Sequence, residues 1–407
     1  MRSVGSVLGG TSVAQVIPIA GTVVLATIFK PSSFGLYSTW LGFVMFLGVI
    51  LTGRLEMVLA VETDGQPRRH AVVAIIKTIA ITSLVAVFVL GICMLMKLGV
   101  LEQFSFGMLA ILIPSAAMLA GTGTLQNWAA ADGRYQHLSI MRIMQAGSVA
   151  IFQIAFGLLA SDVLELAIGY FAGTLVGLLT GFLLSPLKYE GFTGDRKSLG
   201  EFWYGQRSFV LCSLPASAIS SATAQLPVVL VAAKFGSEAA GLLAIAMRMV
   251  GAPMSIISKS VLDVFKRNAA QAYHDRGECR AEYLNSMRLL FIIAVCSTVV
   301  IGVCAKPVFT GIFGKSWAGA GVVTLLLLPR FGLGFIASPL SYIVYVVGRQ
   351  HLDLVWQLAL LGMTLVTLLS FATFHRTLLY YSVGYGLLYI VYLWMSYRFS
   401  CGRTKLC

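Results

Sequence analysis

The feature that most limits how this chain can fold is a succession of long apolar stretches separated by short polar connections. A helix of about 20 apolar residues crosses the roughly 30 Å hydrocarbon core of a bilayer. Only 11% of the 407 residues are charged and 58% are hydrophobic, which leaves too little polar surface for an ordinary soluble domain. The sequence therefore predicts an all-α polytopic membrane protein of about 12 transmembrane helices without a globular domain outside the bilayer.

Hydropathy divides the predicted spans into two groups of six. The first group lies at residues 4–29, 36–60, 71–96, 106–127, 138–160 and 163–186. The second lies at residues 206–233, 237–262, 286–305, 319–347, 353–373 and 377–398. We accordingly predict an N-terminal lobe (1–187), a cytoplasmic linker (188–205) and a C-terminal lobe (206–407).

The basic residues predict the orientation of these spans, because Lys and Arg in short loops stay on the cytoplasmic side. With the N-terminus inside, 21 of the 29 Lys and Arg residues fall on the cytoplasmic side and six on the other. Both termini are thus predicted to be cytoplasmic, in a bacterial inner (plasma) membrane. Because the charges that make up the net +13 are scattered between apolar runs, they indicate topology and not a nucleic-acid partner.

Two long polar stretches, 187–205 and 263–285, fall on the predicted cytoplasmic side. The second has a helical pattern, and we interpret it as a solvated connecting helix. Contact of its basic face with anionic lipid headgroups is the alternative.

The two halves resemble each other weakly at an offset of 206 residues. At this offset the matching residues are Phe29, Gly35 and Leu36 with Phe235, Gly241 and Leu242. A similar local pattern, at a slightly different offset, joins Gln15 and Pro18 to Gln225 and Pro227. The matches favour parallel repeats that rock against each other, with Pro18 and Pro227 as hinges. Chance similarity between two apolar runs is the alternative.

Several stretches carry a resemblance to a known family. They are GGTSVAQVIPIAGTVVLATIFKPSSFGLYSTW with GRLEMVLAVETDG, LQNWAAADGRYQHLSIMRIMQAGSVAIFQIAFG, GLLAIAMRMVGAPMSIISKSVLDVFKR and ASPLSYIVYVVGRQHLDL. In this order they resemble the polysaccharide-unit flippases of the multidrug/oligosaccharidyl-lipid/polysaccharide exporter superfamily, over nearly the whole chain.

The resemblance implies a V-shaped pair of six-helix lobes that alternates between inward-open and outward-open states. In the O-antigen, lipopolysaccharide and exopolysaccharide branches the cargo is an oligosaccharide on undecaprenyl pyrophosphate. It further implies a transporter and not an enzyme, acting as a monomer without cofactors, in the lipid bilayer. Polysaccharide polymerase and chain-length machinery are the expected protein partners.

Ionised side chains deep in a span are candidate functional residues, because burying their charge in hydrocarbon is costly. Arg248 is the clearest, about eleven residues or roughly 17 Å inside the eighth span. The depth of Arg330 depends on whether its helix starts at Pro329. The remaining candidates, Lys77, Arg54 and Arg142, lie near cytoplasmic span ends, where they either contact cargo or anchor the helix at headgroups.

The sign of the deep charges favours an anionic cargo, since no Asp or Glu lies at comparable depth. Arg presents a planar fork of donors to phosphate oxygens and stays charged at physiological pH. Arg248 is thus the predicted primary phosphate contact, and tying helices together is its alternative role. Four polar residues either line the sugar path or join helices: Gln15, Asn127, Gln145 and Gln225.

Two other functions compete with this one. A multidrug exporter of the same superfamily would need buried carboxylates for cationic drugs. A membrane-bound polysaccharide polymerase or ligase would need a sizeable external loop, whereas the longest predicted one has about a dozen residues. The seven cysteines form no CxxC pair, and neither they nor the five histidines have metal-ligand spacing, so no metal site is predicted.

Overall fold

The computed structural model describes residues 2–96, 99–185, 199–349 and 351–402, with side chains from Ala14 onward except that of His351. Over these ranges the chain is helical and contains no strand. The predicted all-α class is confirmed. Most of the predicted linker, residues 188–198, lies outside the described residues.

The first helices are α1 (Arg2–Ile28), α2 (Pro31–Leu51), α3 (Gln66–Leu95), α4 (Phe106–Ala131), α5 (Tyr135–Leu159), α6 (Val163–Leu184) and α7 (Leu199–Gly205). They are followed by α8 (Leu214–Arg276), α9 (Arg280–Phe313), α10 (Ala318–Leu340), α11 (Ile343–Val346), α12 (His351–Ser370) and α13 (Phe374–Ser400). Gly236 interrupts α8 at φ +89°, so we call residues 214–235 α8a and residues 237–276 α8b.

Ten helical stretches in the described ranges are long and apolar enough to cross a membrane. One of them, Phe209–Arg276, contains both α8a and α8b, and Ala14–Ile28 is a shorter apolar segment of α1. The predicted spans coincide with α1 to α6, α8a, α8b, α9, α10, α12 and α13. The chain is therefore a multi-pass membrane protein.

The second span ends earlier than hydropathy predicts. The α-helix stops at Leu51, Gly53 and Arg54 both have left-handed backbone angles (φ +59° and +61°), and Leu55–Ala60 forms a 3₁₀ helix. Left-handed angles are rare for a residue other than glycine, and they cannot continue a right-handed helix. Hydropathy missed this break because the 3₁₀ segment is itself apolar.

The polar stretch predicted as a connecting helix, residues 263–285, is largely helical, and most of it continues the preceding span. The α8b helix has about 40 residues and a length of roughly 60 Å, twice the thickness of the hydrocarbon core. It ends at Arg276, Gly277 reverses the chain at φ +71°, and α9 begins at Arg280.

The chain forms two compact units, Met1–Gly241 and Leu242–Cys407. In the first unit, Arg54, Arg68 and Arg134 mark one end of the helices, which we call the basic end. The opposite end contains the turn between α1 and α2 and the kink at Gly236, and we call it the sparse end.

A row of glycines along α6 sets the packing of the first unit. Gly169, Gly173 and Gly177 recur every four residues and face α5. A Cβ on Gly173 would lie 2.3 Å from the Val149 Cα, well inside van der Waals contact. Small residues at this spacing let two membrane helices approach until their backbones touch, which is a main source of attraction in lipid.

Buried polar side chains in the same unit find partners on neighbouring helices. The Trp40 Nε1 donates to the Met108 carbonyl at 2.8 Å, joining α2 to α4. The Gln153 amide donates to the Tyr37 hydroxyl at 2.6 Å, joining α5 to α2. Hydrocarbon offers these groups no alternative partner, so each bond fixes its helix pair.

We expect Gly173→Ala to destabilise the protein, because the new methyl group overlaps the α5 backbone. Overpacking of this kind costs about 1–3 kcal/mol. The matched control is Gly147→Ala, since no atom lies within 4 Å of a Cβ at Gly147. Thermal unfolding of the purified protein in detergent should show a lower midpoint for the first variant alone, and equal midpoints would contradict the packing described for α5 and α6.

Candidate functional site

Arg330 lies at the centre of a span. The α10 helix begins at Ala318 and continues through Pro329 to Leu340, so Arg330 is the thirteenth of 23 residues. At 1.5 Å per residue, it lies roughly 15–18 Å from either helix end. Pro329 is thus inside the helix and not at its start, and Arg330 lies near the middle of the helix.

The Arg330 guanidinium lies over a set of aromatic faces. Its Cζ is 4.8 Å from the ring centre of Tyr385, 5.5 Å from that of Tyr381 and 5.6 Å from that of Phe331. A cation over the negative face of a ring gains electrostatic attraction, and the gain is larger in a dry environment. The aromatic rings therefore stabilise this charge within the span.

Some of the hydrogen-bonding capacity around Arg330 stays unused. Its backbone N–H donates to the Ser382 hydroxyl at 3.2 Å. Its Nε and the Tyr381 hydroxyl are buried without a hydrogen-bond partner, and no carboxylate pairs with Arg330 among the described residues. A buried donor without a partner is costly, which makes this layer a candidate ligand contact.

Arg248 lies in the same layer of the second unit. It is the twelfth residue of α8b and is half-buried. Gly251, one turn farther along α8b, packs against Phe331: a Cβ there would lie 3.7 Å from the ring. Because Phe331 adjoins Arg330, the two deepest arginines of the sequence are on neighbouring helices at similar depth.

The three predicted cations of the first unit lie toward its basic end in different environments. Arg54 donates to Glu56 at 2.8 Å and to the Ser217 hydroxyl at 2.7 Å. Arg142 is half-buried in the third turn of α5, and Lys77 is exposed on α3. The Arg54 charge is therefore compensated, whereas the exposed Lys77 side chain is oriented for lipid or solvent.

The predicted sugar-path residues do not form one cluster within the first unit. Gln145 accepts a hydrogen bond from Gln126 at 2.8 Å, which links α4 and α5. Gln225 on α8a contacts the Met45 sulfur on α2 at 3.6 Å. The other two are Gln15, half-buried in α1, and Asn127, exposed near the end of α4.

The two predicted hinge prolines lie inside continuous helix. α1 runs through Pro18, whose side chain is exposed, and α8a runs through Pro227, which is buried. The backbone leaves helical angles at Gly236, nine residues after Pro227.

Sequence reasoning missed the tyrosines around Arg330. Tyr381, Tyr385 and Tyr389 recur every fourth residue and so form one stripe on α13. The available signal was this spacing together with a single deep arginine on another span. Without a structure, however, the stripe has the same pattern as an ordinary apolar helix face.

Arg68, which the sequence indicates only as a topology signal, is a buried structural residue. Its side chain is 6% exposed and contacts Asp64 at 2.5 Å and Asp132 at 3.7 Å. It also donates to the Ala131 and Glu62 carbonyls at 3.1 and 2.8 Å. Arg68 thus ties the start of α3 to the end of α4, between two Asp-Gly turns that the sequence shows at positions 64 and 132.

The described residues contain no group of three or more His, Cys, Asp or Glu side chains able to hold a metal ion. Cys279 is buried in the turn before α9, and burial raises the pKa of its thiol to about 12. A thiol with that pKa stays protonated at neutral pH and is a poor nucleophile and metal ligand.

The polysaccharide biosynthesis protein family matches residues 24–321, nearly three quarters of the chain. This chain belongs to that family. A search of curated proteins gives no significant match.

Solved structures of a flippase and of multidrug transporters share the fold. A lipid II flippase MurJ in an inward closed conformation aligns with a TM-score of 0.76 at 13% identity, over 95% of this chain and 86% of that one. An inward-facing multidrug resistance MATE family transporter aligns with a TM-score of 0.68 at 14% identity, over 97% and 98%. The predicted exporter fold is confirmed.

We expect Arg68→Lys to destabilise this family member, because one ammonium group cannot reach carbonyls and carboxylates on both sides of the guanidinium. Hydrogen bonds to charged groups contribute about 1.5–3 kcal/mol each, so the thermal midpoint in detergent should fall by several degrees. Arg134→Lys, whose partner Asp132 lies in an exposed ion pair, is the control. An unchanged midpoint for Arg68→Lys would contradict the structural role.

Proposed function

We propose that the protein is a flippase that moves an undecaprenyl-pyrophosphate-linked oligosaccharide repeat unit from the cytoplasmic to the outer leaflet, for surface polysaccharide biosynthesis. The observation that carries the proposal is the pair of arginines, Arg248 and Arg330, in one layer near the middle of the second unit. Membership of the polysaccharide biosynthesis protein family supports it independently.

The charge of this layer favours a phosphate-bearing cargo. Asp and Glu residues of the described spans lie near helix ends, as Glu165, Glu238 and Asp353 do, or in the extension of α8b beyond residue 262. A cationic drug would meet no counter-charge at mid-depth. A pyrophosphate would meet the guanidinium groups of Arg248 and Arg330. Because electrostatic attraction is stronger where water is scarce, these arginines are matched to an anion crossing the membrane.

Arg248 is the primary phosphate contact in this proposal, and Arg330 supplies a second positive charge held by its tyrosines. The pyrophosphate passes through the cationic path while the sugars stay in water and the lipid tail remains in the bilayer. Arg54, Arg142 and Lys77 attract the headgroup to the basic end. The residues Gln15, Asn127, Gln145 and Gln225 hydrogen-bond to the sugars on their way.

The same proposal specifies the setting. The protein lies in the bacterial inner membrane with its basic end and both termini in the cytoplasm. It works as a monomer of two six-helix lobes, 1–187 and 206–407, that alternate in access with Pro18 and Pro227 as hinges. It is a transporter and not an enzyme, and it delivers cargo to polymerase and chain-length machinery.

Deletion of the gene in its native host, followed by a leaflet-resolved assay of undecaprenyl-linked saccharides, tests the proposal. We expect the saccharide to accumulate in the cytoplasmic leaflet. Normal flipping with failed polymerisation would contradict the proposal and favour an enzyme that acts on the same lipid-linked donor.

We expect Arg248→Ala to abolish complementation of the deletion while the protein still inserts, because the primary phosphate contact is lost. Arg248→Lys should retain part of the activity, since a lysine keeps the charge without the bidentate geometry. The control is Arg376→Ala, which removes an exposed arginine from the first turn of α13. The leaflet assay measures all three, and full activity of Arg248→Ala would remove Arg248 from the site.

A further inference from the structure

The α2 helix and the first turn of α8b touch through their backbones at the sparse end of the first unit. A Cβ on Gly35 would lie 1.8 Å from the Ser237 carbonyl oxygen. A Cβ on Gly241 would lie 1.9 Å from the Pro31 carbonyl oxygen. Residues 31–35 and 237–241 all belong to the compact unit Met1–Gly241, so this glycine crossing is a contact within one unit.

The two contacts of the glycine crossing are reciprocal. Pro31 and Gly35 become residues 237 and 241 when the 206-residue offset between the two halves is applied. Gly35 therefore faces the carbonyl of Ser237, and Gly241 faces the carbonyl of Pro31, which is the counterpart of Ser237. Such an exchange is the pattern of a contact across a two-fold axis. Of the residues that match between the two halves of the sequence, Gly35 and Gly241 thus meet in space.

The geometry makes this contact close but weak. Each carbonyl oxygen lies within 1.9 Å of the place where a Cβ would stand, so only a glycine Cα–H fits between the two backbones. Each such Cα–H···O contact is weaker than an N–H···O hydrogen bond. A contact of this kind can form and break repeatedly, provided that both positions stay without a side chain.

The rest of α2 runs antiparallel to α8a down to the basic end. A Cβ on Gly42 would lie 3.5 Å from the Cβ of Gln225 and from Val229. Farther along, Arg54 donates to the Ser217 hydroxyl. The glycine crossing is therefore the last contact of this helix pair at the sparse end, where Gly236 (φ +89°) bends the chain from α8a into α8b.

We propose that Gly35 and Gly241 form the outer gate of the cargo path, which is closed in this structure and separates when the cargo leaves. This inference rests on the proposed function, which assigns the sparse end to the outer side of the membrane. It assigns a transport role to two residues that carry no charge and cannot bind the cargo. They act by allowing closure, so they are positioning residues.

A cross-linking assay measures closure independently of the cargo. Gly42→Cys and Val229→Cys, in a background whose native cysteines are replaced by serine, place one sulfur on each helix. A Cβ on Gly42 would lie 3.5 Å from the Val229 Cγ2 atom, which marks a position that a cysteine sulfur can occupy, so a disulfide can form between the two helices. The initial rate of copper-phenanthroline cross-linking in membrane vesicles then reports how often α2 and α8a are together.

Gly35→Ala in this background should lower the cross-linking rate at least about tenfold, because the methyl group holds the sparse end apart. Gly241→Ala should lower the cross-linking rate as well, because the two contacts are reciprocal. Two controls separate gating from packing. Gly123→Ala adds a methyl group where no atom lies within 4 Å, and Gly173→Ala overpacks α5 and α6 away from the crossing.

The proposal is supported if both gate variants lose cross-linking and both controls keep the parent rate per inserted molecule. Parent rates in the gate variants, or an equal loss in Gly173→Ala, would overturn it. If the gate variants fail to insert into the membrane, transport by the cross-linked parent protein tests the proposal. Transport that stops on cross-linking and returns with a reductant supports the gate, whereas full transport by the cross-linked protein overturns it.

Failure of the gate and failure of the proposed function give different results. If the parent protein moves no lipid-linked saccharide but its cross-linking still responds to Gly35→Ala, the gate stands and the cargo assignment falls. If the saccharide is moved equally well with α2 and α8a cross-linked, the cargo assignment stands and the gate falls.

Discussion

The structure depends on one constraint: hydrocarbon supplies no hydrogen bonds and no counter-charge, so each polar group inside a span must find its partner in the protein. The backbone meets this demand by being helical across every described span. The buried side chains meet it through bonds between helices, as Trp40 does with Met108. Helix association then has to come from close contact, which the glycines of α6 provide against α5.

The same constraint gives meaning to a charge that stays at mid-depth. Arg330 is surrounded by tyrosine faces, so its charge is stabilised without being neutralised by a carboxylate among the described residues. Arg54, by contrast, is paired with Glu56. A stabilised but uncompensated cation can attract an anion into the membrane, whereas a compensated cation mainly joins parts of the protein. This difference underlies the proposal that Arg330, and not Arg54, contributes to the central phosphate contact.

Hydropathy predicted the spans because the length of a crossing helix follows from bilayer thickness. The depth of Arg248 followed from counting along α8b. Other features depend on contacts that residue types do not encode. Leu55–Ala60 is apolar yet lies outside α2, because Gly53 and Arg54 turn the backbone. The burial of Arg68 arises only when two distant Asp-Gly turns meet. The depth of Arg330 was ambiguous because Pro329 is compatible with both a helix start and a helix interior.

The most direct test of the account is flipping by the purified protein in vesicles that contain only lipid and a fluorescent undecaprenyl-pyrophosphate saccharide. Dithionite added outside bleaches the probe in the outer leaflet of the vesicle. We predict that vesicles with the wild-type protein lose the fluorescence of the inner-leaflet probe too, and that vesicles with the Arg248→Ala protein lose no more than vesicles without protein. An equal loss of fluorescence in vesicles with the wild-type protein and in vesicles without protein would contradict the proposed function.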